Sequence, residues 1–148
     1  MISSKHIVVG ILGNVATTLS FLPFIPNFLH KIRGVKFANY LTVYFARDVI
    51  IDNRYPEQIF IDNGAVISSR SIVLSHSFIP RNNRVISKKE IIKSVYIGKN
   101  VFIGANSVIL PGSYLGNGCY VGAGSVVSGR FERDCLVAGN PATVKRII

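Results

Sequence analysis

Residues 95 to 128 read VYIGKNVFIGANSVILPGSYLGNGCYVGAGSVVS and set an aliphatic residue at every sixth position: Ile97, Ile103, Ile109, Leu115, Val121 and Val127. A helix repeats at 3.6 residues and a strand at 2, so six is the period of something larger. Stepping back in sixes from Ile97 meets Ile91, Val85, Ile79, Val73, Ile67, Ile61, Tyr55, Val49, Val43 and Phe37. All sixteen positions are apolar, Tyr55 the least so. In a chain that is 49% hydrophobic, so long an unbroken run is not a chance pattern.

The fourth residue after an anchor is often small, as at Ala65, Ser71, Ser77, Ser107, Ser113, Cys119 and Ser125. Each hexad therefore supplies one large inward residue, one small inward residue and a corner. Three flat pieces close a triangle, eighteen residues make one coil, and stacked coils bring like positions into ladders. Large and small residues must alternate to fill the narrow interior, and glycine suits the corners because it tolerates backbone angles that other residues resist.

The chain has 148 residues, a length that suits one domain. Its 17 Lys and Arg against 7 Asp and Glu give a net charge of +10, which predicts an anionic partner without choosing one. Two cysteines, Cys119 and Cys135, make no disulfide framework and fit a reduced, cytoplasmic compartment. Residues 7–29, IVVGILGNVATTLSFLPFIPNFL, form the one long apolar stretch. Asn14, Thr17, Thr18 and Ser20 weaken a membrane span, and Pro23 and Pro26 interrupt it. Three readings follow: helices packed on the domain or on a neighbouring subunit, a helix lying on a membrane face, and, least favoured, a true span. His30, Lys31, Arg33 and Lys36 follow directly and read either as a contact to anionic lipid or as a solvated cluster. Three scattered histidines and two cysteines give no zinc spacing, so no metal is expected. No phosphate-cradling GxxxxGK[ST] loop is present. The basic residues are not interleaved with aromatic residues on one face, so no nucleic-acid partner is expected.

The repeat, together with VAGNPATVKRI at 137–147, resembles the hexapeptide-repeat acyltransferases, and among them the sugar and polysaccharide O-acetyltransferases, over residues 34–146. The resemblance implies an all-β fold, a left-handed parallel β-helix with 18 residues per coil. It implies a short amino-terminal helical segment over 1–33, the β-helix domain over 34–148, and a carboxy-terminal tail from 129. Residues 79–96, IPRNNRVISKKEIIKSVY, keep the hexad phase over one coil length, yet they are crowded with charge and lack glycine. The family extrudes a loop just after its catalytic histidine, so a loop over about 79–94 is favoured over a further coil.

Of the three histidines, only His76 lies within the repeat. The resemblance makes it the general base that takes a proton from an acceptor hydroxyl, work that suits an imidazole. IGANS at 103–107 and VGAGS at 121–125 are one coil apart, which stacks Gly104 under Gly122 and Ala105 under Ala123. The resemblance runs acetyl-CoA along this ladder, with Gly104, Ala105, Asn106, Gly122, Ala123 and Pro141 as its contacts. Lys145 and Arg146 would meet the CoA phosphate or adenine, with Arg130 and Arg133 as alternatives. Asp52, Asn53 and Gln58, the last one coil length before His76, are candidates to face the acceptor or orient His76.

The resemblance implies an acetyl-CoA-dependent O-acetyltransferase acting on a sugar hydroxyl in bacterial surface polysaccharide biosynthesis. The family assembles as homotrimers with active sites between subunits. The expected location is cytoplasmic, at the inner face of the cytoplasmic membrane if residues 7–36 make a peripheral contact. The alternatives are acetylation of a small acceptor (a nucleotide-linked amino sugar, free sugar, serine or antibiotic) and a non-catalytic β-helix scaffold.

Overall fold

The computed structural model describes residues 4–22, 24–78 and 90–148. Two helices, α1 (Ser4–Thr18) and α2 (Ile25–Ile32), lead into a solenoid of short strands. The strands stack into three parallel faces of a left-handed β-helix. The first face holds Lys36–Phe37, Ile59–Ile61, Val95–Ile97, Tyr114–Leu115 and Arg130–Phe131. The second holds Tyr44–Phe45, Val66–Ile67, Phe102–Ile103, Tyr120–Val121 and Cys135–Gly139, and Ala142–Ile147 adds to it antiparallel. The third holds Ile50–Ile51, Ile72–Val73, Val108–Ile109 and Val126–Val127.

Coils are held by main-chain bonds to the next coil, such as Phe102 N–H to Cys119 O at 3.0 Å and Val108 N–H to Ser125 O at 2.8 Å. The hexad anchors fill the interior: Ile61, Ile97 and Leu115 on one face, Ile67, Ile103 and Val121 on the next, and Val73, Ile109 and Val127 on the third are buried. The small inward slots are satisfied internally. Ser71 and Ser107 donate their hydroxyls to the carbonyls of Gly104 (3.0 Å) and Gly122 (3.1 Å), one coil on, so a polar atom inside the prism costs little. Cys119 and Cys135 share this role, with Sγ atoms 3.1 Å apart, and burial with the neighbouring thiol pushes Cys119 up to about 12. Outside, Tyr96 stacks on Tyr114 and Phe102 on Tyr120, with centroids 4.9 and 4.5 Å apart.

The register departs from uniform hexads in three places. Phe45 pairs with Ile67 and Ile51 with Val73, so these two fill the anchor positions that the sixfold count gives to Val43 and Val49. Short 3₁₀ turns at Tyr40–Thr42 and Pro56–Gln58 lengthen the first coil. Phe37 still pairs with Ile61, four hexads on, because the added residues total one hexad. The phase therefore survives an irregular coil, and Tyr55 is not an anchor.

The second departure follows His76. Ile61 pairs directly with Ile97, two coil lengths along the chain, so the intervening coil length contributes no rung to that face. Of the loop expected over 79–94, residues 79–89 lie outside the described residues. Glu90–Ile92 pairs antiparallel with His76–Phe78, which removes Ile91 from the inward ladder. The third departure corrects the tail expected from 129: Leu115 pairs with Phe131 and Val121 with Val137, so the solenoid continues through Gly139 in a coil shortened by two residues.

Truncating one ladder anchor, Ile103→Ala, is expected to cost about 2–5 kcal/mol through lost burial and an unfilled cavity. Urea unfolding should show a lower midpoint at unchanged slope.

Candidate functional site

His76 lies at the corner where the chain leaves the third face, and its ring is pinned from the coil before. Its Nδ1 is 2.6 Å from Asp52 Oδ2. Asp52 is 2% exposed and its carboxylate is saturated with donors. Oδ1 accepts from the backbone N–H of Arg54 (2.8 Å) and Tyr55 (3.2 Å). Oδ2 accepts from the Ser75 N–H (2.8 Å), the Ser75 hydroxyl (2.9 Å) and the His76 N–H (3.1 Å). Burial pushes the Asp52 carboxyl up, but the hydrogen bonds from Arg54, His76 and Ser75 outweigh it and hold the group below its usual range. Asp52 is thus an acceptor only. The proton between the two sits on Nδ1, so that the neutral ring presents its lone pair at Nε2.

Behind Asp52 stands a group that the sequence reading sends to a lipid surface. Arg33 follows α2 and is 4% exposed. Its guanidinium donates to the carbonyls of Ile51 and Asp52, each at 2.8 Å, and to Asn53 Oδ1 at 3.1 Å. Its Nε donates to His30 Nδ1 at 2.8 Å. His30 is buried too, and burial, with Arg33 beside it, lowers it to about 3, so it is a neutral acceptor. Burial lowers Arg33 to about 10, opposed by the Asp52 carboxylate. The reading of His30 and Arg33 as lipid-facing or solvated is therefore corrected: both are internal and fix the turn that carries Asp52. A glycine on α1 makes room, because a Cβ at Gly13 would collide with the Asn53 side chain.

Around His76 lie Tyr55 and Phe78, both edge-on, with centroids 5.6 and 5.7 Å away. Arg54 pairs with Glu90 and lies over both rings. The Tyr55 hydroxyl donates to Glu90, and the His6 ring from α1 meets Tyr55 edge-on at 6.0 Å. Asn53 is bonded to Arg33 and to Asn14 at 3.3 Å, which makes it packing between α1 and the coil. Gln58 does not stack under His76, because the coil there is longer than eighteen residues; it accepts from Ser94 Oγ at 2.7 Å.

The glycine ladder stands on a different edge of the prism, between the second and third faces. Gly104 must be glycine, since a Cβ there would sit 2.5 Å from Ala123 N. The Gly104 and Gly122 amides are bonded to Val121 O and Val137 O, both at 2.8 Å, and so are closed to a ligand. Their contribution is close backbone approach and a shallow wall. Asn106, at φ 57°, and Gly124, at φ 69°, take the left-handed turn in successive coils. Ala105 is half-buried, and Asn106 and Ala123 are exposed. Above the ladder Gly122 is followed by Ala138, and the Lys145 ammonium comes near Gly139. Pro141 and Arg146 are exposed at the same carboxy-terminal end. One chain thus holds His76 on one edge and the ladder with Lys145 on another.

Residues 94–129 match the family model described as bacterial transferase hexapeptide (six repeats). No curated protein sequence matches the chain. Among solved structures, the chain is similar to a hexapeptide-repeat-containing acetyltransferase from Vibrio cholerae O1 biovar eltor complexed with acetyl coenzyme A. The identity is 23% and the TM-score 0.74, over 97% of this chain and 87% of that one. It is also similar to a maltose O-acetyltransferase from Clostridium difficile, at 17% identity and TM-score 0.59, over 95% and 88% of the two chains. The N-acyltransferase AntD from Bacillus cereus, in complex with dTDP and 3-hydroxybutyryl-CoA, matches at 26% identity and TM-score 0.63, over 71% of this chain and 59% of that one. These likenesses establish the hexapeptide-repeat fold.

The buried His30–Arg33 pair makes stability pH-dependent. His30 is neutral when folded and charges near its ordinary value when unfolded, so acid favours the unfolded state. Stability should fall below about pH 6.5, at up to about 1.4 kcal/mol per pH unit. Asp52 adds a further loss below about pH 4, where the unfolded carboxyl takes up its proton first. Urea midpoints across this range should show the slope, and His30→Gln, which keeps an acceptor for Arg33 but does not titrate, should flatten its upper part.

Proposed function

We propose that the chain is an acetyl-CoA-dependent O-acetyltransferase acting on a sugar hydroxyl in bacterial surface polysaccharide biosynthesis. It would work in the cytoplasm, beside the membrane where such glycans are assembled. The observation that carries the reading is the His76–Asp52 pair, at 2.6 Å, with Asp52 held as an anion and Nε2 of His76 left to act. The hexapeptide-repeat fold and its small-residue ladder support the donor assignment.

In the proposed reaction, Nε2 accepts the proton of the acceptor hydroxyl as its oxygen attacks the thioester carbonyl of acetyl-CoA. Asp52 stabilises the imidazolium that forms and keeps the ring oriented. The tetrahedral oxyanion collapses, the C–S bond breaks, and the CoA thiolate takes the proton back from His76. Acetyl ester and free thiol are the products, and no covalent acyl-enzyme forms. Cys119 is unsuited to be a nucleophile, being buried with a raised pKa. Gly104, Ala105, Asn106, Gly122, Ala123 and Pro141 would line the pantetheine path, and Lys145 and Arg146 would meet the CoA phosphates. Because His76 and this ladder lie on different edges of one prism, a homotrimer that sets the His76 edge of one subunit beside the ladder of the next completes the site. Asp52 serves as the orienting group. Asn53 and Gln58 are engaged elsewhere, so the acceptor is assigned instead to the rim of Arg54, Tyr55, Phe78 and Glu90.

The likeness to AntD favours a second reading, transfer to the amine of a nucleotide-linked amino sugar. The same base and donor groove would serve it, and a panel of acceptors separates the two.

Thiol release from acetyl-CoA with a working acceptor is expected to fall about 10²–10⁴-fold in His76→Ala; an unchanged rate sinks the base assignment. Replacing Lys145 and Arg146 together by Ala should raise KM for acetyl-CoA by about 10-fold or more, as loss of a charge-assisted bond requires. The same change should leave KM for dephospho-acetyl-CoA nearly unmoved, which ties these cations to the 3′-phosphate.

A further inference from the structure

α2 is built inside out. Its buried positions include Asn27 and His30, and Arg33 continues the same stripe, while Phe24, Ile25, Phe28 and Ile32 face outward and are exposed. The helix cannot roll to hide the phenylalanines. Asn27 Nδ2 donates to the carbonyls of Tyr40 and Val43, both at 2.7 Å, and Arg33 is tied to the Asp52 turn. α1 repeats the pattern more mildly: Val9, Gly13 and Ala16 are buried, and Ile7, Val8, Ile11 and Val15 are exposed. The two helices pack together and their exposed residues Val8 and Ile32 line one cleft, with Phe21 and Leu41 exposed on the adjoining segments.

The charge near this face is mainly positive, with Glu57 and Asp48 as the acidic exceptions. Five Lys and Arg residues, and no Asp or Glu, precede Asp48. Lys5, Lys31, Lys36 and Arg47 are exposed at its margins. A second copy of the chain would have to bring carboxylates to this rim; of the seven in the sequence Asp52 is buried, Glu90, Glu132 and Asp134 are paired with arginines of their own chain, and Asp48, Glu57 and Asp62 remain. Three carboxylates against the 17 Lys and Arg of the chain make an anionic molecule the better complement to this face. α1 has 15 residues, about 22 Å at 1.5 Å per residue, against a hydrocarbon core of about 30 Å. No described helix is long and apolar enough to cross a membrane.

From these observations we infer that α1 and α2 form a docking face for an anionic lipid bilayer and lie flat in its interface, with the apolar side chains among the acyl chains and Lys5, Lys31, Lys36 and Arg47 at the headgroups. A cleft of about 600 Å³, lined by Lys5, Val8, Leu12, Ile32 and Glu57 among others, has room for an acyl chain. The site rim is close by, since His6 of α1 packs on Tyr55, which packs on His76. Docking would therefore bring His76 to the surface of the bilayer, within reach of a lipid-linked acceptor. The inference deepens the membrane-side part of the reading above, but it does not depend on the chemistry at His76.

The test is flotation of the full chain with vesicles of phosphatidylcholine alone and of phosphatidylcholine with phosphatidylglycerol. The expected result is binding to the anionic vesicles and little to the neutral ones. Phe24→Ser with Phe28→Ser should weaken binding at least about 10-fold at unchanged circular dichroism, and Lys5→Glu with Lys31→Glu should erase the preference for anionic lipid. His76→Ala should bind as the parent does, which separates docking from catalysis. The inference is overturned if the parent chain fails to float with anionic vesicles, or if the serine variant floats equally well. It is also overturned if the serine changes dissociate the oligomer, since the face would then be a contact between subunits.

Discussion

Parallel stacking of equivalent positions governs this molecule. Each strand is two or three residues long over most of the solenoid and has no independent stability. It exists because its amides and carbonyls are met by the coils on either side. The inward anchors sit on one another in the same register, so the hydrophobic core is a set of columns rather than a cluster. A change in one rung is felt by its two neighbours, and irregularities are tolerated only where they leave the columns in phase. Both large irregularities here meet that condition. The lengthened first coil and the segment after Val73 each add a whole number of hexads, so the next anchor returns to its column.

The same arithmetic explains what the sequence makes legible. From Ile97 to Val127 the sixfold count and the stacking coincide, because every coil there is eighteen residues long. Before Ile61 the count keeps finding apolar residues, but Val43 and Val49 occupy the second inward slot while Phe45 and Ile51 carry the column. An apolar residue at the right interval does not tell which of two inward positions it fills. The continuation through Phe131 and Val137 is hidden for the opposite reason: two residues are lost and the count breaks, although the columns do not.

The candidate site was partly legible. His76 stands out as the lone histidine in the repeat, and Asp52 precedes a turn where a carboxylate can collect backbone amides. Arg33, His30, Ser75, Tyr55 and Glu90 do not stand out. Apart from the His30–Arg33 contact, their partners lie about twenty or more residues away, and the separations depend on the irregular coil. One signal was available. Asn27, His30 and Arg33 recur every third residue along a helix that, Lys31 aside, is otherwise apolar, a polar stripe of the kind that marks one face. Which face is buried is decided by partners: the stripe finds carbonyls and an imidazole to bond, so it goes inward and the hydrocarbon goes out.

The antiparallel segment Ala142–Ile147 has a consequence for how the molecule ends. A stack of parallel rungs offers an unsatisfied row of amides and carbonyls at its terminus, and such a row is a template on which another molecule's rung can add. Folding the last strand back along Cys135–Gly139 occupies that row with a partner running the wrong way for further coils. On that face, growth into a filament is blocked by the chain's own reversal of direction.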